Sequence, residues 1–221
     1  ASIQKKILGR AIDDYGKVKM DGFNVLKCPH SCFYADPFAY NNDGKSYIFF
    51  ENYIYSDRKA NISVVEKQGN SFSKPQTVLQ RPYHLSYPFI IEFNGEIYMI
   101  PETREAQCIE IYRCKQFPLK WELVERRFEG EEIVDTTIFE EKGKYYIFFN
   151  KLSPYRKTCN EELFVYSSDN LLNEWKPNPL NPVAIDISKS RSAGHIFKKD
   201  GKWIRPSQDC SKAYGSRTVF S

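Results

Sequence analysis

What this sequence has little of narrows it first. Nowhere in its 221 residues is there an apolar run close to the roughly 20 that a membrane helix needs. The first residues also lack the apolar core of a secretory leader. The expectation from both absences is a chain without a membrane span, in a cytoplasmic setting. An excess of one charge is missing too, since 32 basic and 28 acidic residues leave a net charge of +4. The charges are scattered, so no nucleic-acid partner is expected. Cysteine is sparse: Cys28, Cys32, Cys108, Cys114, Cys159 and Cys210 are too few for a disulfide scaffold. Cys28-Pro29-His30-Ser31-Cys32 invites a zinc reading, yet no second Cys/His pair with ligand spacing follows it. Reduced structural thiols and no metal are the reading. Helical periodicity is nearly absent as well.

Aromatic residues are plentiful: 16 Phe, 15 Tyr and 3 Trp, suited to strands packed on both faces. They fall into a pattern. Ala35-Asp36-Pro37-Phe38 leads through Asp43-Gly44 to Tyr47-Ile48-Phe49-Phe50-Glu51, a hairpin signature. It returns from Ser86 through Asn94-Gly95 to Glu102, and from Val134 through Lys142-Gly143 to Asn150. A fourth copy runs from Ser192 through Asp200-Gly201 to Gln208. A hairpin repeated every fifty residues or so predicts an all-β β-propeller with four-stranded antiparallel blades. Four blades are recognisable, at about 35–82, 86–129, 134–182 and 192–221, in one domain spanning 1–221. Five blades are the preferred count, with residues 1–33 supplying closing strands and Phe23–Leu26 assigned to that role.

The turn glycines give the repeats a common register. Eight residues before Gly44, Gly95, Gly143 and Gly201 stand Asp36, Tyr87, Asp135 and Ala193. Seven residues after them stand Glu51, Glu102, Asn150 and Gln208. In a propeller the start of the first strand and the end of the second meet at one mouth of the channel. Polar residues where strands emerge into solvent would look much the same. The sharper reading is a pocket in which Asp36 and Asp135 face each other, with Glu102 as a further catalytic candidate. Arg104, Arg191, Arg205, His195 and Asp209 lie in the same loops and strands and join the substrate-binding candidates Glu51, Tyr87, Asn150 and Gln208. Arg205, within an apolar strand, is expected to seek a carboxylate or a phosphate, with Glu102, Asp209 and Glu51 as candidate structural partners.

Ala35-Asp36-Pro37-Phe38 resembles the first-blade motif of the five-bladed glycoside hydrolase family 43 type, whose Asp is the general base. That family's second Asp is Tyr87 here, and its Glu-Gly-Pro acid motif is Val134-Asp135-Thr136. A nearer resemblance is to the N-terminal domain of plant glucosamine inositolphosphorylceramide transferases and related bacterial and viral proteins. Pro179-Leu180-Asn181-Pro182-Val183, Arg191-Ser192-Ala193-Gly194-His195 and Arg205-Pro206-Ser207-Gln208-Asp209-Cys210-Ser211-Lys212-Ala213-Tyr214-Gly215 carry it. In the plant proteins the recognised transferase domain is a separate one downstream, so the resemblance implies sugar chemistry or sugar binding.

The expected function is glycosyl transfer from a nucleotide-sugar donor to a glycan hydroxyl at the channel mouth. Asp36 or Asp135 would serve as base and the arginines and His195 would hold the phosphates, with no metal called for. One alternative is an inverting glycosidase, with Asp36 as base and Asp135 or Glu102 as acid. The other is a non-catalytic carbohydrate-binding module, where rings such as Tyr34, Tyr53 and Tyr87 stack on the sugar.

Overall fold

The structure, a computed structural model, describes residues 26–221. The closing strand expected at Phe23–Leu26 falls largely outside the described residues, and Leu26 itself is not in a strand. Strands dominate, and the helical content described is one 3-10 turn at Arg104–Ala106. The described residues divide into two compact units, those up to Pro88 with Gln116–Lys120, and Phe89–Lys115 with Trp121–Ser221.

Unit 1 holds the first blade. Its strands are β1 (Cys32–Asn42), β2 (Lys45–Ile54), β3 (Lys59–Gln68), β4 (Ser71–Phe72) and β5 (Gln76–Leu79), in the order β1-β2-β3 with β4 and β5 both pairing with β3. Phe49, Phe50, Ile62 and Val65 are almost wholly buried in it. Phe117 of the 116–120 segment packs its ring 4.9 Å from Tyr47 and 6.0 Å from Phe49, which explains why that short segment belongs to this unit.

The second sheet follows, with β6 (Ser86–Phe93), β7 (Glu96–Glu102), β8 (Ile109–Gln116) and β9 (Lys120–Arg127) in sequence order. The third contains β10 (Ile133–Glu141), β11 (Lys144–Lys151) and β12 (Glu162–Ser168). Short β13 (Lys176–Pro177) and β14 (Ala184–Ile185) pair with the outer side of β12, so the proline-rich stretch is an edge, as its composition predicts. Phe128, Phe149, Phe164 and Tyr166 interlock in its core, with ring centroids 4.9–6.0 Å apart.

The fourth blade departs from the expected single hairpin. Its strands are β15 (Arg191–Ser192), β16 (Phe197–Lys199), β17 (Lys202–Ile204), β18 (Pro206–Asp209) and β19 (Arg217–Phe220). β16 and β17 form a hairpin of their own, while β15, β18 and β19 make a separate three-stranded sheet. The cause lies in the backbone: Gly194 adopts φ 121°, and Pro206 brings no N–H to a ladder. His195 and Arg205, expected inside strands, therefore sit in the two breaks. No strand of a fifth blade is present among the described residues.

All four hairpins turn through the same geometry. Asp43-Gly44, Asn94-Gly95, Lys142-Gly143 and Asp200-Gly201 each have positive φ at both residues, the type I′ turn whose twist matches paired strands. A second regularity sits at the other end of the hairpin. Asp36, Tyr87 and Asp135, the register residues of blades one to three, adopt φ 46°, 44° and 51°. In blades one and three this marks a bulge, because pairing shifts between Ala35 and Phe38 and between Val134 and Thr137.

Candidate functional site

The bulges need holding, since a non-glycine residue at positive φ is strained. In unit 1 the carboxylate of Asp36 accepts a hydrogen bond from the N–H of Tyr87 at 3.2 Å. Tyr87 is 2% exposed and its ring packs edge-on to Phe38 at 4.8 Å. It anchors the start of β6 and offers a sugar no face. Glu51 is buried too, with Oε1 3.4 Å from Nε2 of His84. His84 is a residue the sequence reading passed over.

Unit 2 gathers more of the candidates. Glu102, at the end of β7, accepts a hydrogen bond from the N–H of Asp135 at 3.3 Å. Asp135 itself is 2% exposed, and its Oδ2 accepts from Nε of Arg191 at 2.6 Å and from Nε2 of Gln208 at 2.9 Å. Arg191 also donates to Oδ1 of Asn160 at 2.8 Å and lies 3.7 Å from Glu102. Register explains why Arg191 can do this. It pairs with Gln208 in blade four, just as Ala35 pairs with Glu51 and Val134 with Asn150. Ala35 and Val134 stand nine residues before their turn glycines, a count that from Gly201 gives Ser192, but the break at Gly194 moves the level back by one residue to Arg191.

Electrostatics favour a permanently charged Arg191. Burial opposes its charge, but the Asp135 carboxylate, Tyr214 and Glu102 outweigh burial and raise its pKa further. The ring of Tyr214 covers the guanidinium, 4.9 Å from its carbon. Asn150 is fully buried and donates to the Glu162 carbonyl at 2.8 Å, while its Oδ1 meets no partner among the described residues. His195 lies 4.2 Å from the ring of Phe89, and burial pushes its pKa down to about 4. It is neutral at pH 7 and brings no charge for a phosphate. Arg205 donates to the carbonyls of Lys189 and Ser190. Asp209 pairs with Arg217 at 2.7 Å and accepts from Ser211 N–H, which together fix the loop after β18.

Around Glu102 and Arg191 an open pocket of about 400 Å³ has formed in unit 2. Its remaining charged walls are Arg104 and Lys157, with Asn160 and Tyr214 between them. Arg104 projects from the 3-10 turn and pairs with Glu132 at 2.8 Å. Lys157 is set by a tight loop in which it holds φ 53° and its N–H bonds the Ser153 carbonyl at 2.9 Å. Among the described residues Lys157 has no carboxylate partner. Three cations and one carboxylate line the pocket; Glu132 and Asp135 pair with Arg104 and Arg191, which leaves Lys157 as the cation best placed to meet an anionic group. Lys157, Asn160 and Tyr214 were missed because they stand in aperiodic loops. Only Tyr214 lay within a stretch that the sequence had singled out.

Residues 24–221 match the family model described as Glucosamine inositolphosphorylceramide transferase 1, N-terminal. The protein of that name from Arabidopsis thaliana is 33% identical over 195 residues, and the one from Oryza sativa subsp. japonica is 31% identical over 191. These alignments cover 86% and 85% of this chain, but only 25% and 26% of the relatives, so the chain spans about a quarter of their length. Among solved structures, an endo-arabinase from Bacteroides thetaiotaomicron superposes with a TM-score of 0.67 at 14% identity, over 91% of this chain and 80% of that one. A thermostable family-43 glycoside hydrolase gives 0.60 at 13%, over 85% and 70%. At such identities the likeness shows the fold alone, which is that of a β-propeller.

Proposed function

Starting from the chain's membership of the glucosamine inositolphosphorylceramide transferase 1 N-terminal family, we propose that it takes part in sugar transfer by holding a nucleotide-sugar donor in the unit 2 pocket. The observation that carries this reading is the pocket's cationic lining: Arg104, Lys157 and Arg191 stand around Glu102, and Lys157 has no carboxylate partner among the described residues. Diphosphate oxygens would lie against Arg104 and Lys157, with Arg191 fixed beneath Tyr214 as the pocket's floor. Glu102 would accept the proton of an acceptor hydroxyl. As that oxygen bonds to the donor's anomeric carbon, the bond from that carbon to the phosphate oxygen breaks and its electron pair leaves with the nucleoside diphosphate.

Asp135 does not suit the role of base or acid. Its Oδ2 already accepts two hydrogen bonds, from Arg191 and Gln208, and the residue is buried. That same observation favours a second reading, a domain that binds the sugar without transferring it. A family-43-type hydrolysis would ask Asp135 or Glu102 to hand a proton to the leaving group, and it finds less support here.

Turnover separates the readings. The 221-residue chain would be given nucleotide sugars with and without glycan acceptors, and nucleoside diphosphate and free sugar would be measured. Transfer predicts acceptor-dependent release of nucleoside diphosphate, reduced about a hundredfold in Glu102→Gln while donor binding survives. Free sugar without an acceptor would point to hydrolysis. Binding with no release would leave the binding-only reading.

A further inference from the structure

Unit 1 carries an aromatic surface that uses none of the pocket's residues. At the open end of the first hairpin the rings of Phe33 and Tyr53 stack, 4.8 Å apart and 15° from parallel. Tyr55 completes the group, 6.1 Å from Phe33 and 6.0 Å from Tyr53. Strand pairing explains the cluster. Phe33 pairs with Tyr53 and Ala35 with Glu51, and alternate residues share a face, so Phe33, Tyr53 and Glu51 form one row.

The fold gives no reason for these rings to face water. Phe33 is 39% and Tyr55 52% exposed, although burying rings of this size is a main source of stability in a β-sheet protein. The surface also has a polar edge. His84 accepts the N–H of Ala60 on Nδ1 at 3.2 Å, which puts its proton on Nε2, 3.4 Å from Oε1 of Glu51. Its ring lies 5.9 Å from that of Tyr53. The phenol hydroxyls of Tyr53 and Tyr55 bond to no other described residue.

We propose that this ledge is a subsite for a neutral pyranose ring of a glycan. The apolar C–H face of the sugar lies on Phe33 and Tyr55, and its hydroxyls meet the phenols and the His84 edge. A chain of sugars suits the ledge better than a protein does. Three rings cover one or two sugar units, whereas a stable protein interface takes about 800 Å² from each partner. The proposal shares with the reading of the pocket only the expectation that the ligand is a carbohydrate; its residues are different ones.

Saturation-transfer NMR on the full chain with cellotetraose, chitotetraose, galactotetraose and mannotetraose tests it. At least one of these is expected to receive saturation at its ring C–H protons. Its affinity should fall about tenfold in Tyr55→Ala, the loss of one good stacking contact. Trp203→Ala, which removes a similarly exposed ring in unit 2, should leave that affinity unchanged. No transfer to any of the sugars, or binding equal in Tyr55→Ala, would overturn the proposal. So would a dimer, seen by light scattering, that Tyr55→Ala dissociates. A nucleoside-diphosphate titration reads the pocket alone, so either site can fail without the other.

Discussion

Nε of Arg191 donates to Oδ2 of Asp135 at 2.6 Å, and neither side chain is more than 10% exposed. Removing one member leaves the other buried without its counter-charge. Arg191→Met is therefore expected to destabilise the folded chain by about 3–5 kcal/mol. The double variant with Asp135→Leu should recover a good part of that loss. Urea unfolding of both single variants and the double gives the coupling, and a double-variant loss equal to the sum of the single losses would show the pair to be uncoupled.

Asp36 plays a positioning part in this structure, as the acceptor for the N–H of Tyr87 at the strained start of β6. Asp36→Asn keeps an acceptor oxygen and should change stability little. Asp36→Ala leaves that N–H without its acceptor and should cost about 1–3 kcal/mol. Thermal unfolding of the two variants side by side distinguishes this anchor from a residue with no duty in the fold.

Lys142 stands where the other three hairpins have Asp or Asn, at φ 54° before Gly143. Its long side chain brings none of the local hydrogen bonding that makes Asn tolerant of this conformation. Lys142→Asn is expected to stabilise by about 0.5–1 kcal/mol, raising the melting temperature by about 1–4 °C. A lower melting temperature would mean that Lys142 is held by something other than turn geometry.

Acid should weaken the fold in two separate windows. Burial lowers the pKa of His195 to about 4 from 6.5. Between those values the unfolded chain takes up a proton that the folded chain refuses. The stability tied to His195 is complete above pH 6.5 and is lost as pH falls towards 4, by about 3 kcal/mol. Asp209 acts later. Hydrogen bonds from Ser211 and then Arg217 hold its pKa down near 2, so its contribution is present above 3.8 and goes only below that. Urea midpoints measured at intervals from pH 7 to pH 3 should show the first decline in the parent chain and not in His195→Gln.

Much of the fold was legible in the sequence because two independent signals coincide. Each Xaa-Gly turn sits between aromatic and apolar runs, and the first three hairpins form where those signals agree. Blade four misled because Gly194 and Pro206 interrupt strands that its composition suggests are continuous. The positive φ at Asp36, Tyr87 and Asp135 carries no composition signal, so the backbone contacts that Asp36 and Glu102 make there were not legible in the sequence. Contacts across long separations were the least legible. Arg191 lies 56 residues from Asp135, and nothing in either segment names the other. Lys157 and Asn160 reach the pocket from a loop with no periodicity to flag it.

The central claim is that the pocket of Glu102, Arg104, Lys157 and Arg191 receives the diphosphate of a sugar donor. Calorimetric titration of the full chain with uridine diphosphate and guanosine diphosphate tests it most directly. The account predicts saturable binding of at least one of them that weakens with added salt and falls about tenfold in Lys157→Met. No heat from either nucleotide, or binding of equal strength in Lys157→Met and Arg104→Met, would contradict it.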